Sequence, residues 1–356
     1  MERRAPNAMP IATDSAFLTR IPKAELHCHL DGSVRPATLA ELAREHGVRL
    51  PDSDPEAVRR YMRVDNAHNL EEYLERFEVT LSVLQTAESL ERAAYELAED
   101  AAADGVLYLE ARYAPVLNVR NGLTLGEAIE APLRGFARAR ADHGIVARTI
   151  VCALRTLPPD VSMQMARLAA EYRPHGVVGF DLAGAERGHP AADHEAAFQH
   201  AIAHGLACTC HAGEGWGPDS VRQAVHTCGA KRVGHGTRLI EDVALTREVA
   251  QRGVALEICL TSNLQTHAAE SYAEHPLRRY FDLGLAVVLN TDNRLMSDVT
   301  LVDEYRHAAQ HLAFTAEELC RVALNGFEHA FVEHNEKATL IARARQQIAQ
   351  LGVALP

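Results

Sequence analysis

Eight apolar or β-branched runs, each of strand length and each separated from the next by a helix-period segment, restrict this chain to few architectures. They are residues 24–29, 106–114, 145–154, 177–183, 206–211, 232–236, 255–260 and 285–290. Strands that are apolar almost throughout are covered on both faces, the condition of a parallel sheet wrapped by helices. Eight such alternations predict an α/β fold, a (β/α)8 barrel of the TIM type. An open doubly wound sheet is the alternative, but no Gly-x-Gly-x-x-Gly turn follows the first run. The pairs Thr124 with Glu127 and Thr315 with Glu318 predict capping boxes at two helix starts.

Between the first and second runs the alternation is interrupted by helix-period segments at 35–46, 69–84 and 90–104. There Leu70, Tyr73, Leu74, Phe77, Leu81 and Leu84 repeat at spacings of three and four, which reads either as core packing or as a lid over a site at the strand ends. Residues 1–20 read as a loosely attached segment, and 21–356 as a single barrel domain.

Charge limits the partners. With 36 basic and 48 acidic residues the chain carries −12 and shows no basic stripe, so nucleic acid is an unfavourable partner. No secretory h-region follows the charged start and no run approaches the ~18 apolar residues of a membrane span, which predicts a cytoplasmic protein with no membrane partner. Seven scattered cysteines read as reduced core residues rather than a disulfide framework, and Cys208 and Cys210 as part of a strand rather than a thiolate cluster.

In a parallel barrel the loops after the strands share one face, and chemistry collects there. The first run ends on His27, His29 and Asp31, the fourth on Asp181 to Glu186, the fifth on His211 and Glu214, the sixth on His235, and the eighth on Asp292 and Asn293. Side chains two apart on a strand leave the same face, so His27 and His29 form half a metal site. With His211 and the Asp292 carboxylate they make a donor set for one divalent ion, which lowers the pKa of a water from 15.7 toward ~7. Glu214 then serves as proton donor and acceptor beside the metal, and His235 remains as a non-ligand that orients the attacking water. A two-metal site bridged by a carbamylated lysine is not available, because Lys23, Lys231 and Lys337 all lie away from the fourth strand's end.

Taken in order, His27-Cys28-His29-Leu30-Asp31-Gly32-Ser33, Asp181-Leu182-Ala183-Gly184, His211-Ala212-Gly213-Glu214, His235-Gly236-Thr237 and Thr291-Asp292 resemble the adenosine deaminase family of metal-dependent amidohydrolases, over residues 20–345. The resemblance implies zinc-dependent hydrolytic deamination of adenosine, and of 2′-deoxyadenosine, to inosine and ammonia. It implies one Zn2+ per chain on His27, His29, His211 and Asp292, and an adenine nucleoside as the small-molecule partner. By the same match Glu214 protonates purine N1, His235 assists the water, Gly184 contacts N3 through its backbone, and Asp31 contacts the ribose; His29 also borders the substrate.

One position departs from the family pattern. Many members carry a second aspartate where this chain has Asn293, placed to hydrogen-bond N7. An amide donates there without first taking up a proton, so purine binding is preserved. The departure leaves open a modified adenine nucleoside such as aminodeoxyfutalosine, or free adenine, as substrate; a non-catalytic nucleoside-binding relative is the alternative from another class.

Overall fold

The computed structural model describes residues 13–65 and 67–355. Among them eight parallel strands pair in chain order: β1 (Lys23–His29), β2 (Val106–Tyr113), β3 (Val146–Leu154), β4 (Val177–Ala183), β5 (Ala207–Ala212), β6 (Arg232–His235), β7 (Ala255–Ile258) and β8 (Val287–Leu289). The expected (β/α)8 barrel is therefore the observed one. The seam between β8 and β1 is a bridge between Cys28 and Asp292. There the Asp292 N–H donates to the His27 carbonyl at 3.0 Å and its carbonyl accepts from the His29 N–H at 2.7 Å. Farther down the seam the Asn290 side-chain oxygen accepts from the N–H groups of Leu26 and His27.

The segment before residue 21 is described in part. Residues 1–12 of that segment lie outside the described residues, but Ser15–Arg20 forms a helix, α1, capped by the Asp14 side chain and burying Phe17 and Leu18. The following lysine explains the attachment. Lys23 is fully buried, and its ammonium donates to the carbonyls of Leu18, Ile21 and Asp104. Burial lowers its pKa to about 7.

The interruption after β1 comprises α2 (Pro36–Glu45), α3 (Pro55–Met62), α4 (Leu70–Leu74), α5 (Phe77–Val83) and α6 (Ala87–Ala103). The run 69–84 is thus two short helices instead of one. Its stripe divides as well. Leu70, Tyr73, Leu81 and Leu84 are buried, whereas the partly exposed Leu74 and Phe77 lean over the strand ends and line a cavity there. Helix α3 was not anticipated, although Asp54 before Pro55 is an N-cap signal, and the Asp54 carboxylate accepts from the Ala57 N–H.

The barrel interior differs from the apolar expectation. Along β2, Tyr108, Glu110 and Arg112 alternate and all are fully buried, as are Asp181, Arg232 and Glu257 on other strands. The hydrocarbon core lies mainly between strands and helices, while much of the inner lining is polar and charged.

Candidate metal centre and active site

The strand ends bring the predicted donors together. His27 Nε2 and His29 Nε2 lie 3.3 and 3.4 Å from the same oxygen of Asp292, and His29 Nε2 is 3.1 Å from His211 Nε2. Donors held at 2.0–2.1 Å by a tetrahedral ion stand ~3.3 Å apart, so the spacing fits a divalent metal. The His27 Nε2 atom is buried and has no hydrogen-bond partner among the described residues, which is the condition of a ligand atom rather than of a packed core histidine. Gly234 makes the approach possible: a Cβ there would come within 2.9 Å of the His27 ring and 3.1 Å of the His211 backbone.

A second layer orients these imidazoles. His27 Nδ1 faces Glu257 at 2.8 Å and His211 Nδ1 faces Asp181 at 3.2 Å, so both rings donate outward and present Nε2 to the centre. Ser262 donates to the second Asp292 oxygen at 2.6 Å. Burial keeps His29 and His211 below the usual imidazole range, hence neutral. His27 shifts upward: burial and Arg112 oppose a proton, and the carboxylates of Asp292 and Glu257 outweigh them. The position thus favours positive charge, which an ion satisfies.

Arg112 holds this layer by donating to Asp181 and Glu257, each at 2.9 Å. Arg232 donates to the other Glu257 oxygen and to Glu110, each at 2.5 Å. Burial alone raises the pKa of Asp181 and Glu257, but His211 and Arg112 beside Asp181, and Arg112 and Arg232 beside Glu257, hold both well below the carboxylate range. Arg112→Met should therefore cost about 3–5 kcal/mol in urea unfolding, because the buried Asp181 carboxylate loses its guanidinium and Glu257 loses one of its two. Unchanged stability together with unchanged metal affinity would show that the network does not support the site.

His235 stands with the ligands. Its ring offers a nitrogen within 4.8 Å of donors on His27, His211 and Asp292. Its contacts separate it from them: Nδ1 accepts from Asn263 Nδ2 at 2.9 Å, and Nε2 lies 3.4 Å from Glu214. Both His235 (φ 63°) and Asp292 (φ 60°) occupy the left-handed region, which non-glycine residues rarely adopt outside constrained sites. Glu214 is buried and accepts from Thr266 at 2.9 Å. Burial first, then the Asp292 charge, raises its pKa well above the usual range, which favours the protonated form.

Of the other predicted residues, Asp31 and Gly184 line a cavity of about 420 Å3, within the range of small-ligand sites, together with His29, Leu74 and Phe77 among others. Asp31 Oδ1 is buried with no hydrogen-bond partner among the described residues, and burial pushes its carboxyl up to about 7. Asn293 is buried beside Tyr73 and so close to Gly32 that a Cβ there would meet its Oδ1 at 1.8 Å. A larger cavity, about 1090 Å3, opens at the opposite end of the barrel, against Val177, Ala207 and Val254. Trp216 is exposed, with the Arg187 guanidinium over its ring.

Two groups went unread in the sequence, Ser262, Asn263 and Thr266 after β7 and the interior pair Arg112 and Glu257, while Glu186 was read only as part of the run after the fourth strand, with no role of its own. The first had a signal, since Thr261-Ser262-Asn263 is a polar run at a strand's end. No helix among the described residues is long and apolar enough to cross a membrane.

The sequence profile described as adenosine deaminase matches residues 22–347. A probable adenosine deaminase of Dictyostelium discoideum is 43% identical over 314 residues, which are 88% of this chain and 41% of that protein. An adenosine deaminase of Mycobacteroides abscessus is 40% identical, covering 94% of this chain and 96% of that one. A zinc-bound amidohydrolase from Burkholderia ambifaria superposes with TM-score 0.87 at 29% identity, over 98% of this chain and 96% of its own. An adenine deaminase from Arthrobacter aurescens superposes with TM-score 0.85 at 26% identity, over 92% and 99%. With a profile match across most of its length and full-length relatives at this identity, the chain belongs to the adenosine deaminase family.

Proposed function

We propose that this chain is a zinc-dependent aminohydrolase that converts adenosine, and 2′-deoxyadenosine, to inosine and ammonia in the cytoplasm. The observation that carries the reading is the convergence of His27, His29, His211 and Asp292, with three donor separations of 3.1 to 3.4 Å among them, beside the buried Glu214, whose protonated form burial favours. A zinc ion held by these four residues supplies Lewis acidity that makes water a nucleophile at neutral pH.

The chain's own groups do the rest. Glu214 gives its proton to purine N1, which draws electrons from C6 as the water adds there. His235 is kept neutral by burial, and with Nδ1 accepting from Asn263 its hydrogen sits on Nε2, which orients the attacking water, while the Glu214 carboxylate left after N1 is protonated takes up the water's proton. The Gly184 backbone donates to N3 and Asn293 to N7, while Asp31, whose unpartnered oxygen faces the cavity, receives the ribose hydroxyl. Glu71, Glu75 and Glu78 add acidic groups around the same cavity, which disfavours a 5′-phosphate.

The test is a panel of adenosine, 2′-deoxyadenosine, adenine, aminodeoxyfutalosine and AMP with zinc-replete protein. The two unmodified nucleosides should have the highest kcat/KM. Faster turnover of adenine or of the modified nucleoside would replace the substrate while leaving the hydrolase reading in place. Within the same panel 7-deazaadenosine tests Asn293: a buried donor left unpaired costs ~1–3 kcal/mol, so kcat/KM should fall ~5- to 150-fold. Asn293→Asp should recover relative activity as pH falls, since a carboxyl donates only when protonated. Equal processing of adenosine and 7-deazaadenosine would remove Asn293 from the N7 contact.

A further inference from the structure

We infer that Glu186 is a positioning residue for proton transfer, holding Glu214 in register with the residue that reads the other side of the purine ring. The inference rests on the role proposed for Glu214. Glu186 lies in the loop after β4 and is 4% exposed. One of its oxygens accepts from the Gly213 N–H at 2.7 Å; the other accepts from the N–H groups of Glu214 at 3.0 Å and Gly215 at 2.8 Å. Three consecutive peptide donors thus converge on one buried carboxylate, and among the described residues no basic side chain pairs with it.

A buried carboxylate is ordinarily retained with a cation. Here its counter-charge is a concave turn of backbone N–H groups, an arrangement that binds an anion only while the turn keeps its shape. The turn carries the side chain that meets N1. The same β4 loop carries Gly184, two residues before Glu186, whose backbone meets N3. Because N1 and N3 flank a single carbon of the purine, the two contacts must keep a fixed separation, and the Glu186 bonds tie the two loops together. A shift of the turn would leave binding at N3 intact and misplace the proton at N1.

Glu186→Gln retains size but replaces one accepting oxygen by a donor that faces peptide N–H groups. It should lower kcat ~10- to 100-fold, the usual effect of removing a group that orients a reacting residue. The KM for adenosine, the zinc content and the affinity for 1-deazaadenosine, which has a C–H in place of N1 and cannot use the Glu214 proton, should stay within about threefold of wild type.

A double-mutant cycle separates positioning from general structural support. In a Glu214→Gln background, Glu186→Gln should lower kcat no further, because its effect travels through the group already lost. An equal fall in both backgrounds would overturn the inference, as would unchanged kcat in Glu186→Gln beside an impaired Glu214→Gln. Normal turnover by Glu214→Gln alone would instead remove the reading on which the inference rests. If Glu186→Gln does not fold, Glu186→Asp, which keeps the charge and shortens the arm, takes its place in the cycle with the same expected non-additivity.

Discussion

Glu214→Gln is expected to keep its metal and its nucleoside while kcat falls by ~10²–10⁴. The side chain is buried, and Thr266 donates to it at 2.9 Å, a bond the amide oxygen of glutamine also accepts. Shape and packing are therefore preserved. The carboxyl is lost: burial and the nearby Asp292 favour its protonated form in the wild type, and an amide has no comparably acidic proton to give N1. The loss belongs in kcat, because it concerns an interaction made as the water adds. Steady-state kinetics with metal analysis of the same sample checks this. A variant that turned over normally, or that had lost its metal, would show that Glu214 has another role.

Chelation followed by removal of the chelator should abolish turnover, and added zinc should restore it. The four proposed ligands are buried, and the His27 Nε2 atom has no hydrogen-bond partner among the described residues. An ion bound by the folded chain alone also raises its melting temperature, so the chelated protein should melt lower and recover with zinc. His211→Ala leaves three of the proposed donors and should reduce metal well below one ion per chain. Since ligands must be deprotonated, mild acid should release the ion as the chelator does. Full activity after verified metal removal would end the assignment.

These results bear on how much of the molecule its sequence reveals. The eight strands were legible because both faces of each are covered, which leaves compact apolar runs between amphipathic helices. His27, His29, His211 and Asp292 were legible because a titratable group at the end of an apolar strand has no packing explanation. The interior of the barrel was not: Arg112 and Glu257 read as isolated charges, and only closure of the sheet brings them to 2.9 Å. Nor does a one-dimensional pattern show the left-handed backbone at His235 and Asp292, which neighbouring strands impose. The break within 69–84 lay hidden for a different reason, since two consecutive helices with continuous apolar spacing imitate one.

The seam between β1 and β8 has a consequence for the life of the chain before it is finished. Leu26 and Asn290, which meet across that seam, are 264 residues apart in sequence. The Asp292 peptide is bonded to His27 and His29 directly above them. A chain emerging from the ribosome therefore displays its first two histidines long before their carboxylate partner exists. The pocket for the ion is completed by the most distant pairing in the barrel, which is also among the slowest kinds to form. Stable capture of the proposed ion is then expected at the end of folding rather than at its beginning, and an unfinished or truncated chain is not expected to become active by loading metal early.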